Sequence, residues 1–119
     1  MEPRARIGFL ASAIFLTALV FAVLSQASRV EPARTHTVVI EAMKFIPAEL
    51  RIGPGERVVF QNKDLLPHTA TAKEPKAFDS GLIKAGESWT LQISSDTQTV
   101  RYECLYHPSM EGRIIVTRP

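Results

Sequence analysis

From Thr35 onward apolar and polar residues alternate with a period of two, broken by frequent turn signals, which is the pattern of an all-β sandwich. Thr37-Val38-Val39-Ile40-Glu41 predicts the first strand. Met43-Lys44-Phe45-Ile46-Pro47 predicts a kinked continuation of it, because Pro47 cannot donate to a ladder and belongs at an edge or bend. Glu49-Leu50-Arg51-Ile52 predicts another strand, running into Gly53-Pro54-Gly55, a turn with permissive glycines on both sides of a proline. Glu56 to Gln61 follows as a more apolar strand, and Thr69-Ala70-Thr71-Ala72 as a further one. After a turn at Ala85-Gly86-Glu87, Trp89, Leu91 and Ile93 alternate with Thr90 and Gln92 and so share one face. Phe45, Phe60 and Trp89 are expected in the core, Met43 is expected to fill space beside Phe45, and Phe78 to pack under the turn after it.

The strand Thr99 to Cys104 sets Val100, Tyr102 and Cys104 on one side and Thr99, Arg101 and Glu103 on the other. Cys104 therefore points inward at the strand's end, while Glu103 faces solvent. Pro108 and Gly112 are expected to supply a bend and its exit, after which Gly112 to Thr117 resumes as the last strand.

Before Thr35 the pattern changes. Arg4 and Arg6 precede an uninterrupted apolar run from Ile7 to Leu24, and Ser25-Gln26-Ala27 places small residues where a signal peptidase reads. Residues 1–27 are read as an N-terminal hydrophobic signal peptide cleaved after Ala27, with an uncleaved anchor helix tethering the protein to a membrane through residues 7–24 as the alternative. Positive charge on the Met1 side sends the following chain across the membrane in both cases, so a periplasmic location is expected. Residues 28–34, with Pro32, are read as a tether, and residues 35–119 as one domain. The 119 residues carry 14 basic and 12 acidic side chains, a net charge of +2. The basic residues are scattered, which excludes a nucleic-acid footprint.

The concentrated chemistry lies in Cys104-Leu105-Tyr106-His107-Pro108-Ser109-Met110, where a thiolate, an imidazole and a thioether share one short stretch. A single Cys cannot form an intrachain disulfide, and alone it reads as an inert buried residue. A nucleophilic Cys-His pair ordinarily draws its base from far along the chain, and structural zinc needs more Cys and His ligands than are present. Met110 favours copper, because a thioether is a poor zinc ligand and adds nothing to a thiol nucleophile. A trigonal site of one Cys and two His with a long axial Met needs a second imidazole. His68 supplies it from the loop after the Glu56-to-Gln61 strand, with Pro67 fixing the backbone before it. The rival, His36, lies in the tether or first strand, where ordering is expected to be poor.

These residues resemble the cupredoxins, the small blue copper proteins, and most closely the amicyanin-like branch. The resemblance runs from about Thr35 to Arg118 and rests on Pro67-His68 after an Asn-x-Asp turn, on Phe78-Asp79-Ser80-Gly81 followed by Gly86, and on Tyr102-x-Cys104-x-x-His107-Pro108-x-Met110-x-Gly112. Two residues between Cys and His and two between His and Met look like the short amicyanin loop. The resemblance implies a Greek-key β-sandwich, one type 1 copper ion held by His68, Cys104, His107 and Met110, and one-electron transfer through an exposed His107. Thr69 stands where many members carry an Asn that braces the Cys loop, and Tyr106 where amicyanin tends to have proline.

The expected function is that of a periplasmic type 1 copper protein carrying single electrons between protein redox partners, as a monomer and not as an enzyme. Copper storage or delivery is the alternative, although no Met-rich tract is present. Catalysis is disfavoured because four protein ligands leave no open position for a substrate. Leu65, Leu66 and Pro67 before one imidazole, and Leu105, Tyr106 and Pro108 around the other, are expected to form an apolar patch at one end of the sandwich.

Overall fold

The computed structural model describes residues 31–74 and 76–118, so the leader expected over residues 1–27 lies outside the described residues. Within them the chain is all β. The strands are β1 (Thr35–Glu41), β2 (Lys44–Ile46), β3 (Glu49–Ile52), β4 (Arg57–Asn62), β5 (Thr71–Ala72), β6 (Ser88–Gln92), β7 (Val100–Cys104) and β8 (His107–Val116). They form two four-stranded sheets, ordered β2-β1-β4-β6 and β3-β8-β7-β5. Pairing is antiparallel except for β1 with β4 and β3 with β8. Every connection from β2 to β7 changes sheet, and only β1–β2 and β7–β8 are joined within one sheet, which closes the Greek-key sandwich.

Alternation along each strand turns one face inward. Val38 and Ile40 from β1, Val58 and Phe60 from β4, and Leu91 from β6 meet Ile52, Tyr102 and Ile114 of the opposite sheet in one buried cluster. Each such side chain contributes about 1.5–3 kcal/mol on burial. Tyr102 lies at the centre, with ring centroids 4.7 Å from Phe45, 5.3 Å from Phe60 and 6.0 Å from Phe78. Trp89 and Phe78 pack against this cluster from its margin.

Several elements differ from the sequence expectation. The first strand starts at Thr35, not Thr37, because the Arg57 amide donates to Arg34 O and extends the parallel pairing with β4. His36 is therefore ordered in β1, with Nε2 2.6 Å from Glu56 Oε2. Residues 43–47 do not continue β1. They reverse it, with Glu41 opposite Lys44 and both Ala42 and Met43 at positive φ (51° and 59°). This is the backbone of a two-residue hairpin turn. Left-handed backbone costs a side-chain-bearing residue about 1–2 kcal/mol, and the Asp64 carboxylate offsets it by accepting both amides of the turn. Met43 sits on this turn, exposed, and is not core filling.

The predicted Thr69–Ala72 strand shrinks to two residues, because Ala70 N donates to Ser80 Oγ and His68 bridges to Ile83 instead. The final strand starts at His107 rather than Gly112, so Pro108 lies within β8 and makes no bend. It falls where the β7–β8 register jumps from Cys104↔His107 to Glu103↔Glu111, a stretch in which no ladder donor is required. Gly112 is a close approach and not a loop exit, since a Cβ there would come within 2.2 Å of the Tyr102 ring.

Tyr102 carries a buried hydroxyl with no hydrogen-bond partner among the described residues, and burial pushes its phenol above the ordinary value. Leaving such a group unpaired costs about 1–3 kcal/mol. Tyr102→Phe is therefore expected to raise the urea midpoint of the metal-free protein without changing the slope. Gly112→Ala is expected to lower the midpoint, through a loss of about 1–3 kcal/mol of stability from overpacking. A destabilised Tyr102→Phe would show that the hydroxyl has a partner.

Candidate metal centre

β7 ends on Cys104, and its inward alternation leaves the thiol fully buried and free. The chain turns at Leu105 and Tyr106 and re-enters the sheet at His107, which pairs with Cys104 across the hairpin. Tight reversal therefore places His107 Nδ1 3.7 Å from Cys104 Sγ. The second imidazole comes from the other side of the sequence. His68, fully buried, is held by backbone bonds with Ile83 in both directions, and its Nδ1 lies 3.8 Å from the same sulfur. One ligand atom from each of the three residues lies within 4.8 Å of the others.

These distances suit a metal ion. Bonds of about 2.3 Å to sulfur and about 2.0 Å to nitrogen, spread by about 120°, separate sulfur and nitrogen by about 3.7 Å. The two Sγ–Nδ1 distances match that spacing. Met110 is also buried, in the register skip of β8, and belongs to the same cluster as Cys104. A thiolate, two imidazoles and a nearby thioether make the donor set of a type 1 copper site. His36 stays out of it, engaged with Glu56.

Neighbours hold the donors in place. Thr69 donates its amide to Cys104 Sγ at 3.4 Å, and its hydroxyl accepts the Leu105 amide at 2.9 Å. Asn62, fully buried, donates through Nδ2 to Leu66 O at 2.8 Å and Ile83 O at 2.9 Å, tying the loops on either side of His68 together. His68 Nε2 donates to Asp64 Oδ2 at 2.8 Å. Burial pushes the Asp64 carboxyl up, but the bonds from Met43, Ala42 and His68 outweigh it and hold the group below its ordinary value, ionised. Sequence reasoning passed over Asn62 and Asp64, although the Asn-x-Asp turn was visible as a motif. Glu103 lies on the outer face, 3.4 Å from Lys73 Nζ, as alternation requires.

Exposed apolar residues border the same loops. Leu65 is 94% exposed, and Leu66, Leu82, Leu105 and Tyr106 are each more than half exposed. His107, between Tyr106 and Pro108 in sequence, is half-buried. Leu82 is adjacent in sequence to Ile83, which bridges to His68.

Comparison with known proteins agrees with this geometry. The family described as Cupredoxin-like domain matches residues 13–116. Amicyanin-alpha from Methylorubrum extorquens is 28% identical over 109 residues, covering 88% of this chain and 91% of that protein. A proline variant of amicyanin in its oxidised state superposes with a TM-score of 0.65 at 25% identity, covering 70% of this chain and 82% of that one. A copper-containing nitrite reductase from Thermus scotoductus reaches a TM-score of 0.67 at 28% identity, covering 78% of this chain but 24% of the enzyme.

Thr69→Val keeps the branched shape but strands the Leu105 amide, at a cost of about 1–3 kcal/mol. The metal-free variant should unfold at lower urea and exchange the Leu105 amide faster, whereas Thr69→Ser should behave as wild type. Equal protection of that amide in Thr69→Val would show that the hydroxyl does not brace the hairpin.

Proposed function

This chain belongs to the cupredoxin-like family, on its amicyanin-like branch, and from that premise we propose that it carries single electrons between protein partners through one type 1 copper ion held by His68, Cys104, His107 and Met110. The observation that carries the reading is the convergence of Cys104 Sγ with two Nδ1 atoms at 3.7 and 3.8 Å, with Met110 buried in the same cluster as Cys104. When bound, copper supplies a one-electron couple. The chain contributes a donor frame that changes little between the two states, because Cys104 and His107 lie on paired strands and His68 is hydrogen-bonded on both sides. Storage or delivery would favour exposed, exchangeable ligands, and burial of Cys104 and His68 opposes exchange. The nitrite reductase similarity covers a minor part of that enzyme, and a site filled by four protein ligands offers no position for a substrate.

The half-buried His107, flanked in the hairpin by the exposed Leu105, Tyr106 and Pro108, is the proposed port for electrons. Transient redox interfaces are small, below about 1,200 Å² of buried surface, and an apolar contact there brings the imidazole edge close to a partner's centre. With a near-balanced net charge of +2, transfer should fall only gently with salt. We place the domain in the periplasm, with residues 1–27 as its export signal.

Two experiments test this function. The copper-loaded protein should accept and return one electron per chain, and Leu66→Glu or Pro108→Glu should slow exchange with its physiological partner several-fold while leaving the copper spectrum intact. Wild-type rates in both variants would place the port elsewhere, and transfer of the ion to an apo acceptor faster than electron exchange would favour delivery. The intact mass of the native protein should begin at Ser28 in the soluble periplasmic fraction. A mass that includes Met1, found in the membrane fraction, would establish the anchor instead.

A further inference from the structure

The carboxylate of Asp64, which lies just past β4, joins the His68 loop to the β1–β2 hairpin turn. Its Oδ2 accepts from His68 Nε2 at 2.8 Å and from Met43 N at 3.0 Å, while Oδ1 accepts from Ala42 N at 2.7 Å. The Asp64 amide in turn donates to Asn62 Oδ1 at 2.9 Å, so both its main chain and its side chain are fixed. A carboxylate in this position only accepts hydrogen bonds, which requires the neutral imidazole's proton to sit on Nε2. The Nδ1 lone pair is then left for the side facing Cys104 Sγ, 3.8 Å away.

Building on the copper reading above, we infer that Asp64 is a positioning residue: it fixes the tautomer and orientation of His68, anchors them to the Ala42-Met43 turn, and thereby tunes the preference for oxidised over reduced copper. A carboxylate behind a ligating imidazole makes the ring a stronger donor, which favours the more highly charged ion, and losing such a partner typically costs about 10- to 100-fold in metal affinity. The turn matters because its two amides aim the carboxylate. Neither turn residue has a Gly or Asn that would hold the positive φ by itself.

Asp64→Asn replaces one acceptor oxygen with an NH2 group facing N–H donors, so it disturbs the turn and the ring together. The two effects separate in an Ala42→Asn, Met43→Gly background, where the turn sequence supports its own conformation and keeps both amides. In that background, long-range 1H–15N spectra of the metal-free protein should show a pure Nε2–H tautomer for His68. Adding Asp64→Asn should give a mixture of tautomers. With copper bound, the same change should weaken Cu(II) about tenfold more than Cu(I), a rise of about 59 mV for a one-electron couple. Asp64→Glu should return both readouts toward wild type. A single Nε2–H tautomer or an unshifted potential in the Asp64→Asn variant would overturn the role of Asp64. Should wild-type protein bind copper without a charge-transfer band, the proposed function fails, while the tautomer comparison still decides for or against this carboxylate.

Discussion

Two hydrogen bonds at Thr69 hold together segments 35 residues apart, and the site depends on them. The Thr69 amide reaches Cys104 Sγ, and the Thr69 hydroxyl receives the Leu105 amide. The pairing of Thr71 with Glu103 already brings the two segments into one sheet, and the Thr69 bonds extend that join to the Cys104–His107 turn itself. With it, a buried sulfur and two imidazoles face one point. The sandwich supplies stiffness behind the link: Tyr102 and Phe60 pack edge to face across the core, and the neighbouring Gly112 lets β8 approach the Tyr102 ring. A residue of different chemistry thus fills the bracing position that the family commonly gives to Asn, using a hydroxyl as acceptor in place of an amide side chain.

Much of this was legible in the sequence because it depends on local patterns. Strand alternation placed Val100, Tyr102 and Cys104 inward, and the Cys-x-x-His spacing matches a hairpin reversal. What escaped was set by contacts distant in sequence. Ala42-Met43 carries no turn signal, since its strain is offset by a carboxylate from beyond β4, and so from the sequence Met43 reads as core. Pro108 reads as a bend in isolation but fits inside a strand wherever the register skips. Gly112 reads as a loop exit, although its lack of a side chain serves the Tyr102 ring. Asp64 looks like an ordinary turn residue until the fold brings His68 Nε2 and the Ala42-Met43 turn to it.

The same frame accounts for the balance between retention and exchange. Cys104 and His68 are fully buried and fixed by neighbours on several sides, whereas His107 is half-buried amid exposed leucines and a tyrosine. The more exposed imidazole is thereby the one on the hairpin turn, while the other donors lie inside. Apolar surface without strong charge suits brief encounters, in which speed of release matters as much as affinity.

If Cys104 is a thiolate ligand of a copper ion shared with His68 and His107, the visible spectrum must show it. Titrating Cu(II) into the metal-free protein should produce an intense thiolate-to-copper charge-transfer band that saturates at about one ion per chain, as a single Cys-plus-two-His site requires. That band should be absent in Cys104→Ser. An equally intense band in Cys104→Ser, or none in the wild-type protein at saturating copper, would contradict the account.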